Sequence, residues 1–316
     1  MVEGGMKEKL IEKSSMFQIG GQPNHAAEEL IFVMKSIIAK RMKENKVTII
    51  QCYDISKFFD KERMEDAIDI CNRRDIDPKA SRIWYKLNEG TNIKVRTGAG
   101  MSESQVIGAV VGQGTLGGAL VSQAVLDGGV CEKFKPGDCG ELNYGSVCMA
   151  PLMFQDDLLH GVESVDKARE GNRKVDIIMK ERCLSLNRDK SVCIAVGPKV
   201  IRNEIKKEIE KNPLKCGDFV TKLKEKDKWL GQYISEEGIN ESIVETINAR
   251  EGKIKGACLD IVKIVNDWRA EIVGGMETAL SLWERCVIPS LLHGCGNWIG
   301  MKKTVVQRLN NLQRWL

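Results

Sequence analysis

The chain has 316 residues, 42% hydrophobic and 29% charged, with a formal net charge of +4. That length and balance suit a globular protein of about two domains with a well-buried core, and exclude a disordered or collagen-like chain. Its eleven cysteines are scattered without a C-x-x-C pair and its histidines are only His25, His160 and His293, which excludes the zinc spacings and suits reduced thiols in an intracellular protein. The start, MVEGGMKEKLIEK, is charged and has no signal-peptide core, so the expectation is a protein that is not secreted and resides in cytoplasm or nucleus.

In chain order, AAEELIFVMKSIIAKRMKE (26 to 44) carries helical periodicity after a Gly-Gly-Gln-Pro-Asn turn. KVTIIQCYD is a β-branched run that ends on Asp54, a strand with an acid at its exit. KERMEDAIDICNRR reads as an amphipathic helix. QVIGAVVGQGTLGGALVSQAVL (105 to 126) is uncharged over a length that could span a bilayer. Its five glycines and three glutamines leave too few large aliphatics for a span, so it reads as buried or substrate-facing backbone, with no membrane partner.

In CMAPLMFQDDLLHGV, two runs of strand length flank Asp156 and Asp157, which predicts a hairpin over 147 to 162 with the acids at its turn. A helix over 164 to 182, a strand at SVCIAVG, a charged helix over 200 to 211 and a strand pair at KWLGQYIS follow. From Ile243 the pattern is helical. The order predicts an α+β fold, an antiparallel sheet backed by helices, with a helical domain after it. The lysine excess lies in the second half, which suits either a polyanionic partner or a solvated face.

If the strand ending at Asp54 pairs with the hairpin, three carboxylates gather at one sheet end, and their repulsion calls for a divalent cation or a shared proton. Magnesium fits such a site, since it takes a few carboxylates and completes its shell with water and phosphates. Two ions about 3.5–4 Å apart could hold both oxygens of an in-line phosphoryl transfer. Spacing alone leaves open three unrelated surface acids. A rival lies in GQGTLG (Gly112 to Gly117), which matches G-x-G-x-x-G with Glu132 twenty residues on, the outline of a dinucleotide-binding turn. GGVCEKF is a poor second strand for it, and no parallel β-α-β succession follows.

DISKFFDKERM (Asp54 to Met64) resembles the first catalytic motif of reverse transcriptases, an Asp, a basic residue, then Phe-Asp. FQDD (Phe154 to Asp157) resembles their aromatic-Ala-Asp-Asp turn, with Gln155 in place of Ala. GQGTLGGAL (Gly112 to Leu120) resembles the Gln-Gly motif without the Leu-Ser-Pro that usually follows it. QIGGQPNHAAEELIFVMKSI resembles the segment before the first catalytic strand, LSLNRDKS (Leu184 to Ser191) the motif with an Asn and a Lys, and WLG (Trp229 to Gly231) the primer-contacting turn. VIPSLLHGCGNW (Val287 to Trp298) resembles the thumb signature of non-LTR retrotransposon polymerases.

The resemblance covers nearly the whole chain and implies a right-hand polymerase making DNA on an RNA template. Partial fingers would occupy 1–45, the palm 46–240, and a helical thumb with the start of a connection 241–316. It implies two Mg2+ ions, with Mn2+ as a substitute, on Asp54 and Asp156, and Asp157 as the secondary ligand. Phe59 would lie beneath the sugar of a deoxynucleoside triphosphate, where a 2′-hydroxyl would clash. Gln113 and Gly114 would support that nucleotide or the template, and Lys190 would protonate the leaving pyrophosphate. Phe154, Gln155, Trp229, Leu230 and Gly231 would meet the RNA template and DNA primer. The chain starts shortly before QIGGQPN and stops inside an apolar helical pattern, so a fragment with weak extension is expected. A nucleic-acid-binding remnant without turnover would keep the lysine-rich half and the Trp229 contact.

Overall fold

The run TIIQCYD forms strand β1 (Thr48–Asp54), buried along its length until Asp54 at the exit is half-buried. A strand so enclosed needs partners on both edges, and it has them. The computed structural model describes residues 2–15, 17–90, 92–98, 100–106, 118–134, 142–144, 147–148, 151–267, 275–298 and 301–315. Strands β2 (Leu152–Phe154), β3 (Asp157–Val162), β4 (Val192–Val196) and β5 (Lys222–Leu223) join β1 in a five-stranded sheet of order β5-β4-β1-β3-β2. Every pair in it is antiparallel except β4 with β5. A separate hairpin of β6 (Lys226–Trp229) and β7 (Gln232–Ser235) stands beside it.

Side chains alternate between the two faces of a strand, so the register sorts β1 into two sets. Cys52 lies between Leu159 and Val192, and Asp54 lies opposite Asp157 on that same face. Ile49 and Gln51 face the other way with Val162, His160 and Cys193. There helices α7 (Val165–Glu181) and α8 (Lys199–Lys211) close over the sheet, packing Val165, Ala168 and Ile209 on Ile49 and Cys193. The polar Gln51 is tolerated because its amide donates to Asn172 Oδ1 of α7 at 2.6 Å, the atom that also accepts from the Tyr53 hydroxyl.

The main core lies under helix α2 (Ala27–Lys43), which buries Leu30, Ile31, Met34, Ile37 and Ile38, the spacing of one helical face. Burying each such side chain contributes about 1.5–3 kcal/mol. A second cluster joins α1 (Val2–Glu12), α4 (Met64–Arg73), α5 (Pro78–Asn88) and α6 (Gly118–Gly129) around Leu10, Met64, Ile70, Trp84 and Val121, with the short α3 (Phe58–Lys61) preceding it. Helix α5 is not among the elements expected from the sequence. The Asp77 side chain caps it by accepting from Lys79 N at 2.8 Å with Pro78 in the first turn, a helix-start signal masked by the polar residues that follow. This cluster holds a fully buried ion pair, Arg74 Nη2 to Asp127 Oδ2 at 2.7 Å, and the same oxygen accepts from Ser15 N.

After the hairpin comes the long α9 (Ile239–Asp267), then α10 (Gly275–Leu282), α11 (Ile288–Leu292) and α12 (Lys303–Trp315), the helical end expected from Ile243 onward. Ile243, Ile247, Trp298 and Val305 form its own core. Among the described residues no helix is long and apolar enough to cross a membrane. The segment 112 to 117, matching G-x-G-x-x-G, lies outside the described residues. Glu132 sits in a 3-10 turn after α6 and pairs with Arg73 at 3.4 Å, and among the described residues no strand on either side of it enters the central sheet as a parallel β-α-β unit.

Candidate active site at the exit of the central strand

Asp54 is the last residue of β1, and the ladder sets it directly opposite Asp157, the first residue of β3. The β2–β3 hairpin closes with Phe154 opposite Asp157, so Gln155 and Asp156 form a two-residue turn. Gln155 has φ of 56°, a left-handed conformation that costs a non-glycine residue about 1–2 kcal/mol. Three carboxylates thus meet at one end of the sheet. Asp157, ranked below Asp156 in the sequence reading, faces Asp54, while Asp156 occupies the turn.

The strained turn is held by a residue that the sequence reading did not single out. Gln18 is fully buried, and its amide grips the backbone of Gln155 at both ends, accepting from Gln155 N at 3.1 Å and donating to Gln155 O at 3.0 Å. Its Oε1 also accepts from Gly20 N, and a Cβ at Gly20 would lie 2.3 Å from Gln155 N, which explains glycine there. The Gln-x-Gly spacing was visible in QIGGQPN, but nothing local to it points at residue 155. Gln18→Met keeps the volume and removes every one of these bonds. It is expected to lower the unfolding free energy by about 2–3 kcal/mol through stranded backbone groups, read from urea midpoints.

The segment LSLN runs alongside the exit of β1, with Asn187 N donating to Asp54 O at 2.8 Å and Ser56 N to Ser185 O at 2.8 Å. The Asn187 side chain accepts from Asp189 N at 3.1 Å, shaping the turn that carries Lys190 back over the acids. Lys190 Nζ donates to Asp54 Oδ1 at 3.1 Å, and that bond and the Asp54 charge raise its pKa. The ammonium therefore holds its proton firmly. A cavity of about 250 Å³ opens at this point, lined by Asp54, Asp157, Lys190, Lys224, Asp227 and Lys228. Acids and lysines face each other across it, a surface for phosphates and cations together.

Burial raises the pKa of both turn acids, and the Asp54 charge adds to it. Asp157, which also feels Asp156, is pushed up from 3.8 to about 6. The folded state thus binds this proton more tightly than the unfolded chain, so its contribution to stability is full below about pH 4 and is lost as pH rises through about 6. Asp157→Asn is therefore expected to melt higher than the parental protein at pH 8 in chelator, with the gap closing toward pH 4. Discounted for partial solvent screening, the effect is about 1 kcal/mol, or ~2 °C.

Among the described residues no group of three or more His, Cys, Asp or Glu side chains is gathered tightly enough to hold a metal ion by itself. The donors present at the sheet end are hard carboxylate oxygens whose mutual repulsion favours a proton or a cation. Magnesium is usually held by one or two carboxylates plus substrate phosphates, so the donor set fits in kind.

Phe58 is buried in the main core. The Phe59 side chain, Gln113 and Gly114 lie outside the described residues. Phe154 is half-buried against the core and Gln155 is exposed. Trp229 is 4% exposed and packed in the core, so stacking on a base would require it to leave. Leu230 (φ 47°) and Gly231 (φ 77°) close the β6–β7 hairpin with both turn residues left-handed, the geometry of a type I′ turn.

Neither a protein-family model nor a curated protein matches this sequence. Solved structures do match its fold. An apo telomerase from Candida tropicalis, truncated from the C-terminal domain, matches with a TM-score of 0.50 at 15% identity, over 74% of this chain and 43% of that one. Apo telomerase of the same organism gives 0.51 at 12% identity, over 74% and 39%. Telomerase from Candida tropicalis in complex with a TWJ fragment of telomeric RNA gives 0.51 at 11%, over 98% and 53%. The chain thus spans about half or less of the length of the structures it matches. At these identities the likeness shows the fold alone: the chain shares with these telomerase structures a mixed α+β architecture built on a central, mostly antiparallel sheet.

Proposed function

We propose that the chain is the polymerase core of a non-LTR-type reverse transcriptase, extending a DNA primer on an RNA template with deoxynucleoside triphosphates. The observation that carries this reading is the Asp54–Asp157 pair across the ladder, with Asp156 beside it, in a fold shared with telomerase. In this reading the fingers begin in 1–45, the palm is 46–240 and the thumb 241–316. Asp54, Asp156 and Asp157 would hold two magnesium ions, or manganese in their place. When bound, these ions supply Lewis-acid stabilisation of the attacking and leaving oxygens.

The chain's own residues do the rest. Gln18 fixes the turn that presents Asp156 and Asp157, and Asn187 shapes the loop that carries Lys190. Lys190, charged and 64% exposed, would donate a proton to a departing pyrophosphate once it parts from Asp54, whose bond and charge otherwise hold that proton. Lys224 and Lys228 add positive charge to the same cavity, where it favours a polyphosphate. The β6–β7 turn lies on the primer side.

Primer extension on an RNA template with magnesium, run beside filter binding, tests the proposal. DNA product that depends on template and metal supports it. Salt-sensitive binding without product would instead favour a binding module, and neither would leave the shared fold without either activity.

A further inference from the structure

The Leu230–Gly231 turn is held from outside its own hairpin. Arg250, on α9, donates from Nη2 to Gly231 O at 2.8 Å. Its Nη1 donates to Leu291 O at 2.9 Å and His293 O at 2.8 Å. Each of these acceptors is a main-chain carbonyl, and among the described residues no carboxylate forms an ion pair with this guanidinium. His293 in turn sets Nε2 3.3 Å from Leu230 O. Directly after the turn, Gln232 is fully buried and its amide makes three hydrogen bonds. It donates to His293 O at 2.8 Å and accepts from Trp298 Nε1 and Lys35 Nζ, each at 3.2 Å.

Space is as tight as the bonding. A Cβ at Gly231 would stand 3.0 Å from the His293 ring, and one at Gly294 would stand 2.5 Å from Gln232 Nε2. The turn, the segment after α11 and the middle of α9 therefore form one interlocked unit, with the planar fork of Arg250 at its centre. Lysine cannot reproduce that fork, since a point charge on a flexible stem cannot bridge three fixed carbonyls.

We propose that Arg250 is a positioning residue: it locks the Leu230–Gly231 turn to the helical domain, so that a primer end resting on the turn is held at a fixed distance from Asp54 and Asp157. The role rests on the polymerase reading above, whereas the lock itself does not. Charge and geometry predict different outcomes for Arg250→Lys. If Arg250 served only as a cation for nucleic acid, Lys would replace it, helped by Lys228 and Lys253 in the same cleft of about 460 Å³.

The experiment compares parental protein and Arg250→Lys by amide hydrogen exchange over residues 226 to 235, by template-primer affinity, and by single-turnover extension at saturating template-primer. Arg250→Lys is expected to keep affinity within twofold, to speed exchange at residues 230 to 233 at least tenfold, and to slow extension at least tenfold. Parental exchange and extension would overturn the proposal, and so would faster exchange with unchanged extension. If the parental chain extends no primer, the polymerase reading fails. Exchange then decides the lock alone, tenfold acceleration supporting it and no change refuting it. Should Arg250→Lys not fold, Trp298→Phe, which deletes the indole donor to Gln232 and trims the ring that packs in the helical core beside Arg250, is expected to speed the same exchange about threefold. No change there would count against the lock.

Discussion

Asp54→Asn is expected to reduce nucleotide transfer by at least about a thousandfold, or ~4 kcal/mol of transition-state stabilisation, while leaving the fold intact. Asp54 closes no buried network. Its backbone carbonyl, which survives the change, is what accepts from Asn187. The side chain's recorded bond is to Lys190, largely in solvent, so its loss costs little stability. What disappears is one of the facing charges of the sheet end. Pre-steady-state extension on an RNA template is the measurement, with far-ultraviolet circular dichroism and template binding as controls. Binding is expected to change little, since phosphate contacts come mainly from basic groups. Extension at the parental rate would remove Asp54 from the chemistry.

The largest effect on stability is expected at Asp127. Asp127→Ala leaves the Arg74 guanidinium buried without its carboxylate and takes the acceptor from Ser15 N. Breaking a buried pair from one side costs about 3–5 kcal/mol. The double change Arg74→Met with Asp127→Leu removes both charges and is expected to recover most of that loss in urea unfolding, because apolar pairs of similar volume often substitute for buried ions. A double variant no better than the single one would show that Arg74 matters through its other bonds, to Leu10 O and Ser14 Oγ. The consequence reaches the candidate site, because Ser15 lies three residues before Gln18, whose amide fixes the Asp156–Asp157 turn.

Much of this was readable from local pattern. β1, β3, β4 and helices α2, α4, α7 and α8 follow from β-branched runs and helical periodicity, and their observed ends lie within a few residues of the expected ones. The pairing of β1 with the Asp-Asp hairpin was not fixed by spacing, which left three unrelated surface acids open; the motif resemblance pointed to it, and the ladder shows it. The grip of Gln18 on residue 155 was not legible, since it joins positions 137 apart in sequence through a side chain that looks ordinary in its own segment. The same holds for Gln232, which reads as a strand glutamine until α9 and the segment after α11 close around it. Trp229 shows the reverse case, a residue whose burial its own segment does not announce. Beside a turn it suggests a stacking platform, but the hydrophobic gain of burying the ring draws it into the core.

The sheet order also sets a timetable. β1 leaves the ribosome well before the strands that flank it, since β3 and β4 follow more than a hundred residues later. At translation rates of about 5–20 residues per second, an apolar strand with two open edges waits ~5–20 s for its first neighbour. Until then Thr-Ile-Ile-Gln-Cys-Tyr is a template for pairing with any other extended chain. The centrality that encloses Asp54 therefore makes the nascent chain dependent on something that shields this strand, and slower elongation is expected to lower the soluble yield.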